Sequence, residues 1–199
     1  MLKRLTLSLI VLGCLSMAAP AQTPVKYAVD AAHSNVGFTI PILNGVSKVR
    51  GKFSDFTVTV DYDDADVTRS SVSATIKTAS VDTGIEARDK HLRTPDFFDA
   101  EKFPEITFQS TKIVKTGKGF EATGNFTLHG VTKEIVIPFT ENGTFVNESN
   151  KTTLRGFTGT VILNRRDFGM LYKHATIPNW VGDEVQVDLT VLMRTQPPK

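Results

Sequence analysis

Apolar and polar residues alternate through most of the chain beyond residue 21, and this alternation constrains the fold more than any other feature of the sequence. Val36, Phe38 and Ile40, for example, are separated by single small or polar residues. A period of two places alternate side chains on opposite faces of a strand. The pattern therefore predicts an all-β fold whose strands each have one buried face. The same phase recurs at 72–76, 120–128, 135–139, 157–163 and 185–193.

Turn residues divide this pattern into eight strand-length runs. Gly51 and the change of phase at Ser54 and Asp55 indicate a bulge or bend within the second run. Eight antiparallel strands that close on themselves have no free edge, and they enclose room for side chains or one small ligand. We therefore predict an eight-stranded antiparallel, lipocalin-like barrel. Its strands are expected at 34–42, 46–62, 71–80, 105–116, 118–129, 132–146, 154–166 and 184–194.

The aromatic composition indicates which way the apolar face points. A membrane barrel directs that face toward lipid and carries girdles of aromatic residues at both interfaces. This chain has thirteen Phe but three Tyr and one Trp. Because Phe has no polar tip, it suits an enclosed interior better than an interface. The apolar face is therefore predicted to line the inside of the barrel.

Two segments interrupt the alternation. The stretch 82–98, with Thr83 as its expected N-cap, predicts a short helix between the third and fourth strands. Such a helix could lie across a barrel mouth with Leu92, Phe97 and Phe98 turned inward. The stretch 168–182 contains Met170 and Trp180 and is long enough to form a lid or rim.

The first 21 residues resemble a secretory signal peptide. Lys3 and Arg4 precede an apolar run of about 13 residues, too short to span a membrane, and small residues follow. Cleavage is predicted after Ala21, which leaves a single domain at 22–199 in the periplasm or outside the cell, with no transmembrane segment. Residues 11–14 loosely match a lipoprotein box, so lipidation of Cys14 remains an alternative.

The charge balance argues against some partners. Residues 1–21 contain two basic and no acidic residues, so their removal leaves equal numbers of each. A protein that binds nucleic acid or an anionic membrane would be expected to carry a basic excess. Neither partner is predicted. A homodimer is left open.

The histidines do not form a metal motif or a recognisable catalytic motif. None of the four is paired at a spacing of two or four residues. His33 and His91, together with Arg93, are interpreted as structural hydrogen-bonding groups or as contacts to a ligand head group. Asp30, His33 and Ser34 are expected to form a polar cluster that closes one end of the barrel, because buried polar groups need partners.

Five ordered motifs resemble the bacterial YceI-like family across nearly all of the mature region. They are YAVDxxHS followed by Phe38, VRGxFxxF from Val49, RDKHLRTPDFFD running on to FPEITFQS, GNFTLHGVTK from Gly124, and NRRDFG from Asn164. The resemblance implies a periplasmic or secreted barrel that binds a polyisoprenoid or quinone-like lipid in its interior. It implies no catalytic residue, no metal and no cofactor beyond that lipid.

The pattern and the resemblance together predict a non-catalytic protein that binds, stores or transports a long isoprenoid-type lipid. Two alternatives remain: an enzyme that acts on such a lipid through His33 or His91 with Asp89, and a ligand-free stress-response interaction module whose barrel is filled by its phenylalanines. The predicted lipid-contacting residues are Phe38, Ile40, Phe53, Phe108, Phe126, Leu128, Ile137, Phe139, Val161 and Leu163, with Leu92, Phe97, Phe98, Met170 and Trp180 around an opening.

Overall fold

The computed structural model describes residues 24–195. The predicted signal peptide, its cleavage site and Cys14 lie outside this range. Within it, no helix is long and apolar enough to cross a membrane. Residues 24–195 form eleven strands and one α-helix: β1 Val25–Val29, β2 Asn35–Ile42, β3 Ser47–Phe53, β4 Phe56–Tyr62, β5 Ser71–Lys77, β6 Val81–Asp82, α1 Glu86–Leu92, β7 Glu105–Thr116, β8 Gly119–Leu128, β9 Val131–Asn147, β10 Thr152–Asn164 and β11 Glu184–Thr195.

Eight strands close into an antiparallel ring. The order around the ring is β1, β4, β5, β7, β8, β9, β10 and β11, and the pairing of β11 with β1 completes it. β11 is long enough to pair with two partners in succession, β1 near its C-terminal end and β2 near its start. β3 and β6 extend the sheet beyond β2. The closed eight-stranded barrel and its helix confirm the predicted fold class.

The strand count differs from the prediction at three places, one of which is the additional two-residue strand β6, paired with β3. β1 is an additional strand at the start of the barrel, paired with β4 and β11. The predicted second strand is divided in two, because β3 ends at Phe53 and β4 begins at Phe56. Gly51 lies in continuous register with Phe38 of β2, so the bend is at Ser54 and Asp55.

The cluster of Asp30, His33 and Ser34 lies in the barrel wall beside Leu192 of β11, and its role in closing a barrel end stays a prediction. These residues occupy the break between β1 and β2, where a short 3-10 turn at Ala31–His33 interrupts the strand. The backbone amide of Asp30 donates to the carbonyl of Leu192 on β11. The cluster therefore bridges a gap in the sheet.

Helix α1 is held by side chains at both ends. Its N-cap position is Ile85, so the predicted cap at Thr83 is wrong. Thr83 instead donates to the carboxylate of Asp89, from its backbone amide at 2.9 Å and from its hydroxyl at 2.5 Å. Arg93, which follows the helix, donates to two backbone carbonyls between β5 and α1. These bonds fix the helix against the end of the barrel.

Candidate binding cavity

An apolar cavity of about 420 Å³ occupies the interior of the barrel. Pockets for small ligands typically measure roughly 300–1,000 Å³. Its wall is formed by side chains of β2 to β5 and β7 to β11, by α1, and by the 169–182 segment. Because most of these side chains are Val, Ile, Leu and Phe, an apolar ligand would be stabilised here by leaving water.

All fifteen residues predicted to contact a lipid lie on the cavity wall. Ten come from the strands and five from α1 and the segments that follow α1 and β10. Contact between these side chains and a lipid stays a prediction. They are Phe38, Ile40, Phe53, Leu92, Phe97, Phe98, Phe108, Phe126, Leu128, Ile137, Phe139, Val161, Leu163, Met170 and Trp180.

The phenylalanine rings line the interior without filling it. Phe139 stacks on Phe120 at 5.4 Å between ring centroids and contacts the edge of Phe157 at 6.1 Å. Phe126, Phe139 and Phe157 point inward yet are only partly buried, because they face the cavity. The cavity contradicts the alternative of a barrel filled by its phenylalanines.

A polar cluster closes one end of the cavity. The guanidinium of Arg155 lies 4.4 Å from the ring centroid of Tyr62, donates to Glu141 at 2.7 Å and to the Tyr27 hydroxyl at 3.2 Å, and pairs with Asp64. Burial, together with the neighbouring Glu141 carboxylate, raises the pKa of Tyr62 to about 12. Burial alone would lower the pKa of Arg155, but its bonds to Tyr27 and Glu141 outweigh burial and hold that pKa above its ordinary value. We call this the closed end.

Sequence reasoning missed the closed end, although the strand phases contain a signal for it. Glu141 continues the inward phase of Ile137 and Phe139 on β9, and Arg155 shares the phase of Phe157 on β10. A carboxylate and a guanidinium at core positions of neighbouring strands need partners, and here they are paired with each other.

The other end of the cavity reaches the surface and is called the mouth. Here His91 of α1 is exposed yet contributes to the wall, whereas Tyr62 at the closed end is 4% exposed. The His91 ring meets the edges of Phe97 and Tyr172 at 5.1 and 5.4 Å between centroids, and Phe97 lies 4.6 Å from Tyr172. These aromatic contacts join α1 and its following loop to the 169–182 segment at the mouth.

The 169–182 segment is attached to the β2–β3 hairpin. Ile42 and Val181 form an isolated antiparallel bridge, and the amide of Leu43 donates to the carbonyl of Trp180 at 3.0 Å. Met170, Tyr172 and Trp180 reach the cavity wall from this segment. This arrangement agrees with the rim predicted from the sequence.

A model of the YceI-like domain matches residues 27–193. The chain belongs to the YceI-like family. A UPF0312 protein of Vibrio cholerae serotype O1 is 36% identical over 174 residues, which are 84% of this chain and 88% of the relative. The crystal structure of BcnA from Burkholderia cenocepacia superposes with a TM-score of 0.72 at 27% identity, covering 82% of this chain and 98% of that one.

A solved structure of lower sequence identity shares the fold. It is described as a polyisoprenoid binding domain from Saccharophagus degradans implicated in plant cell wall breakdown. It superposes with a TM-score of 0.63 at 15% identity and covers 86% of this chain and 99% of that chain. At this identity the comparison shows a shared barrel architecture.

Two of the three polar residues considered for a head group lie away from the cavity wall of this YceI-like barrel. His33 is exposed and pairs with Asp30 at 3.2 Å; their hydrogen bond holds the pKa of the Asp30 carboxyl below its ordinary value. Arg93 donates to the carbonyls of Ala79 and Val81 at 2.7 and 2.9 Å. Of the three, His91 lines the cavity.

The pairings that the enzyme alternative requires do not occur in residues 24–195. Asp89 bonds to Thr83, His91 pairs with Asp96 at 2.8 Å, and His33 lies outside the cavity wall. Over the same range, no three His, Cys, Asp or Glu side chains are grouped as metal ligands.

Proposed function

We propose that this YceI-like barrel binds one long apolar lipid of isoprenoid type and stores or carries it through the periplasm, or outside the cell, without transforming it. The observation that carries the proposal is the apolar cavity inside the closed barrel, which has one closed end and one mouth. The polyisoprenoid binding described for the S. degradans relative supports the choice of ligand class.

The shape and chemistry of the cavity favour a chain-like ligand. Most side chains of the wall between the mouth and Tyr62 at the closed end are apolar. Each five-carbon unit that leaves water for such an interior contributes roughly 3–4 kcal/mol before the cost of ordering the chain. Affinity should therefore rise with the number of isoprene units until the cavity is full and then level off.

Native mass spectrometry of protein purified gently from its own source tests the proposal. The expected spectrum contains a co-purified apolar lipid, which organic extraction removes. The delipidated protein should then bind prenyl alcohols, and its affinity for them should rise with the number of isoprene units until the cavity is full and then level off. Ligand-free spectra combined with no uptake of any prenyl alcohol would refute lipid binding.

Turnover assays separate a carrier from an enzyme. The protein is incubated with prenyl esters and prenyl diphosphates, and the lipid is extracted and compared with the starting material. A carrier returns the same compound, whereas hydrolysis or group transfer above the buffer rate would favour the enzyme alternative.

A further inference from the structure

The formal charges on the cavity wall are those of two arginines. Arg88, His91 and Arg165 lie on the wall, and no Asp or Glu between residues 24 and 195 joins them there. A charge next to an apolar interior is costly unless a partner of opposite sign offsets it. His91 already pairs with Asp96 at 2.8 Å, so the partners of the two arginines indicate what the cavity can accept.

Arg165 is already satisfied by the protein. Its guanidinium donates to the carbonyls of Gly182 and Met170 at 2.8 and 2.5 Å and to the carboxylate of Asp183 at 2.8 Å. Its side chain is 4% exposed. All three nitrogen atoms have acceptors and the charge has a counterion, so Arg165 serves the fold.

Arg88 has hydrogen bonds but no direct ion pair in the described part of the chain. Its Nε donates to the Thr83 hydroxyl at 2.7 Å and its Nη2 to the Thr83 carbonyl at 2.9 Å, and both acceptors are neutral. None of the ion pairs formed by residues 24–195 includes Arg88, and none of their hydrogen bonds uses its Nη1. The half-buried guanidinium is thus held in a fixed orientation without a direct ion pair, and the Asp89 carboxylate is reached only through the Thr83 hydroxyl.

The orientation of Arg88 is supported from behind. The Thr83 hydroxyl that accepts from Arg88 donates in turn to the buried carboxylate of Asp89. Arg88 and His91 are three residues apart on α1 and so share one helix face, and both contribute to the wall at the mouth. Thr83 and Asp89 are therefore positioning residues for a cation at the mouth.

We propose that the bound lipid carries an anionic head group, a phosphate or a carboxylate, which lies at the mouth against Arg88, with His91 beside it. This rests on the proposed function, because the apolar tail would fill the cavity toward the closed end. The closed end does not need an anion, since Arg155 there already pairs with Glu141 and Asp64. The ligand therefore has one favoured orientation, with its head group at the mouth.

The test compares four ligands with the same geranylgeranyl tail and different ends: an alcohol, a phosphate monoester, a carboxylic acid and an amine. Wild-type protein should bind the phosphate and the acid at least about tenfold more tightly than the alcohol, and the amine more weakly than the alcohol. The preference for the anions should shrink as salt is added. The difference between the phosphate and acid arms identifies the anion.

The Arg88→Gln variant isolates the guanidinium. It should reduce the preference for phosphate over alcohol to about twofold while leaving the affinity for the alcohol unchanged. Lys90→Gln is the matched control, because Lys90 is an exposed cation on the same helix that pairs with Glu86 and is not on the wall. This control should retain the full preference.

Each outcome decides between the two proposals. Failure of all four ligands to bind would refute the proposed function. Equal binding of alcohol and phosphate by the wild type would overturn the anionic head group while leaving lipid binding intact. Loss of alcohol binding in Arg88→Gln would overturn the assigned role by making Arg88 structural. If Arg88→Gln does not fold, the ranking of the four ligands by the wild type still tests the anionic head group. Arg88→Lys, which keeps the positive charge, should then show part of the wild-type preference for phosphate over alcohol.

Discussion

The hydroxyl of Ser34 occupies the position of a missing strand partner for Leu192. The Leu192 amide donates to Ser34 Oγ at 2.9 Å, and the Ser34 hydroxyl donates to the Asp30 carbonyl at 2.7 Å. This contact spans the break between β1 and β2, which pair with β11 on either side of it. A side chain thus continues the hydrogen bonding of the sheet where the backbone turns away.

Ser34→Ala should destabilise the barrel. The substitution leaves the Leu192 amide without its acceptor in a part-buried site, which typically costs about 1–3 kcal/mol. Urea denaturation measures the change in the free energy of unfolding. Ser73→Ala, on an exposed position of β5, is the control and should change stability by less than about 0.5 kcal/mol. Equal effects of the two substitutions would contradict the bridging role.

The alkaline limit of stability should depend on Tyr62. Its pKa is about 12 in the folded protein and 10.0 for an ordinary tyrosine. Below pH 10 the phenol is neutral in both states, so its contribution is fully present there. Between these values the unfolded chain ionises first, and the free energy of unfolding falls by about 1.4 kcal/mol per pH unit.

Tyr62→Phe removes this titration while keeping the ring that contacts Arg155. The free energy of unfolding is measured in urea at several pH values for both proteins. Between pH 10 and pH 12, the value for the wild type should fall relative to that of the variant by about 1.4 kcal/mol per pH unit. Other groups titrate in both proteins and cancel in the difference. Parallel stability curves throughout that window would show that the closed end does not hold the phenol neutral.

Gly51 makes room for an aromatic side chain of the cavity wall. A Cβ at this position would lie 2.7 Å from Cε1 of Phe38 and 2.8 Å from Cγ2 of Thr83. Gly51→Ala should therefore displace the Phe38 ring and destabilise the protein by about 1–3 kcal/mol. Gly117→Ala is the control because a Cβ there meets nothing within 4 Å. Thermal or urea unfolding compares them, and a Gly51→Ala protein as stable as the control would refute the packing role.

The faces of the strands could be predicted from the sequence because side-chain direction alternates with each residue. Phe38, Phe126 and Val161 were assigned to the interior on this basis, and they lie there. β1 was missed because its five residues offer only a short repeat, and its partners on β4 and β11 are distant in the sequence.

Contacts between strands could not be predicted in the same way. The pair of Glu141 and Arg155 depends on the register of β9 against β10, which shifts at Gly156 and Phe157. The environment of the Arg88 guanidinium depends on which groups the helix meets after it packs. A one-dimensional pattern contains neither register nor helix orientation, and the volume of the cavity likewise follows from the packing of the whole barrel.

Adjacent residues of β10 provide the sharpest test of where the ligand lies. Val161 points into the cavity opposite Val187, and Ile162, its neighbour, is 62% exposed on the outer face opposite Gln186. Val161→Trp should place an indole in the space that the lipid tail requires and lower prenyl alcohol affinity by at least about tenfold. Ile162→Trp adds the same group outside and should leave binding unchanged.

The stability of the two variants separates a blocked cavity from a disrupted core. An added indole in a tightly packed interior would cost about 1–3 kcal/mol or more, whereas an open cavity can accommodate much of it. Val161→Trp should therefore unfold cooperatively at nearly the wild-type urea midpoint while native mass spectrometry detects little co-purified lipid. Undiminished lipid in this variant would place the ligand elsewhere, because the ring and an isoprenoid chain compete for the same volume of about 420 Å³.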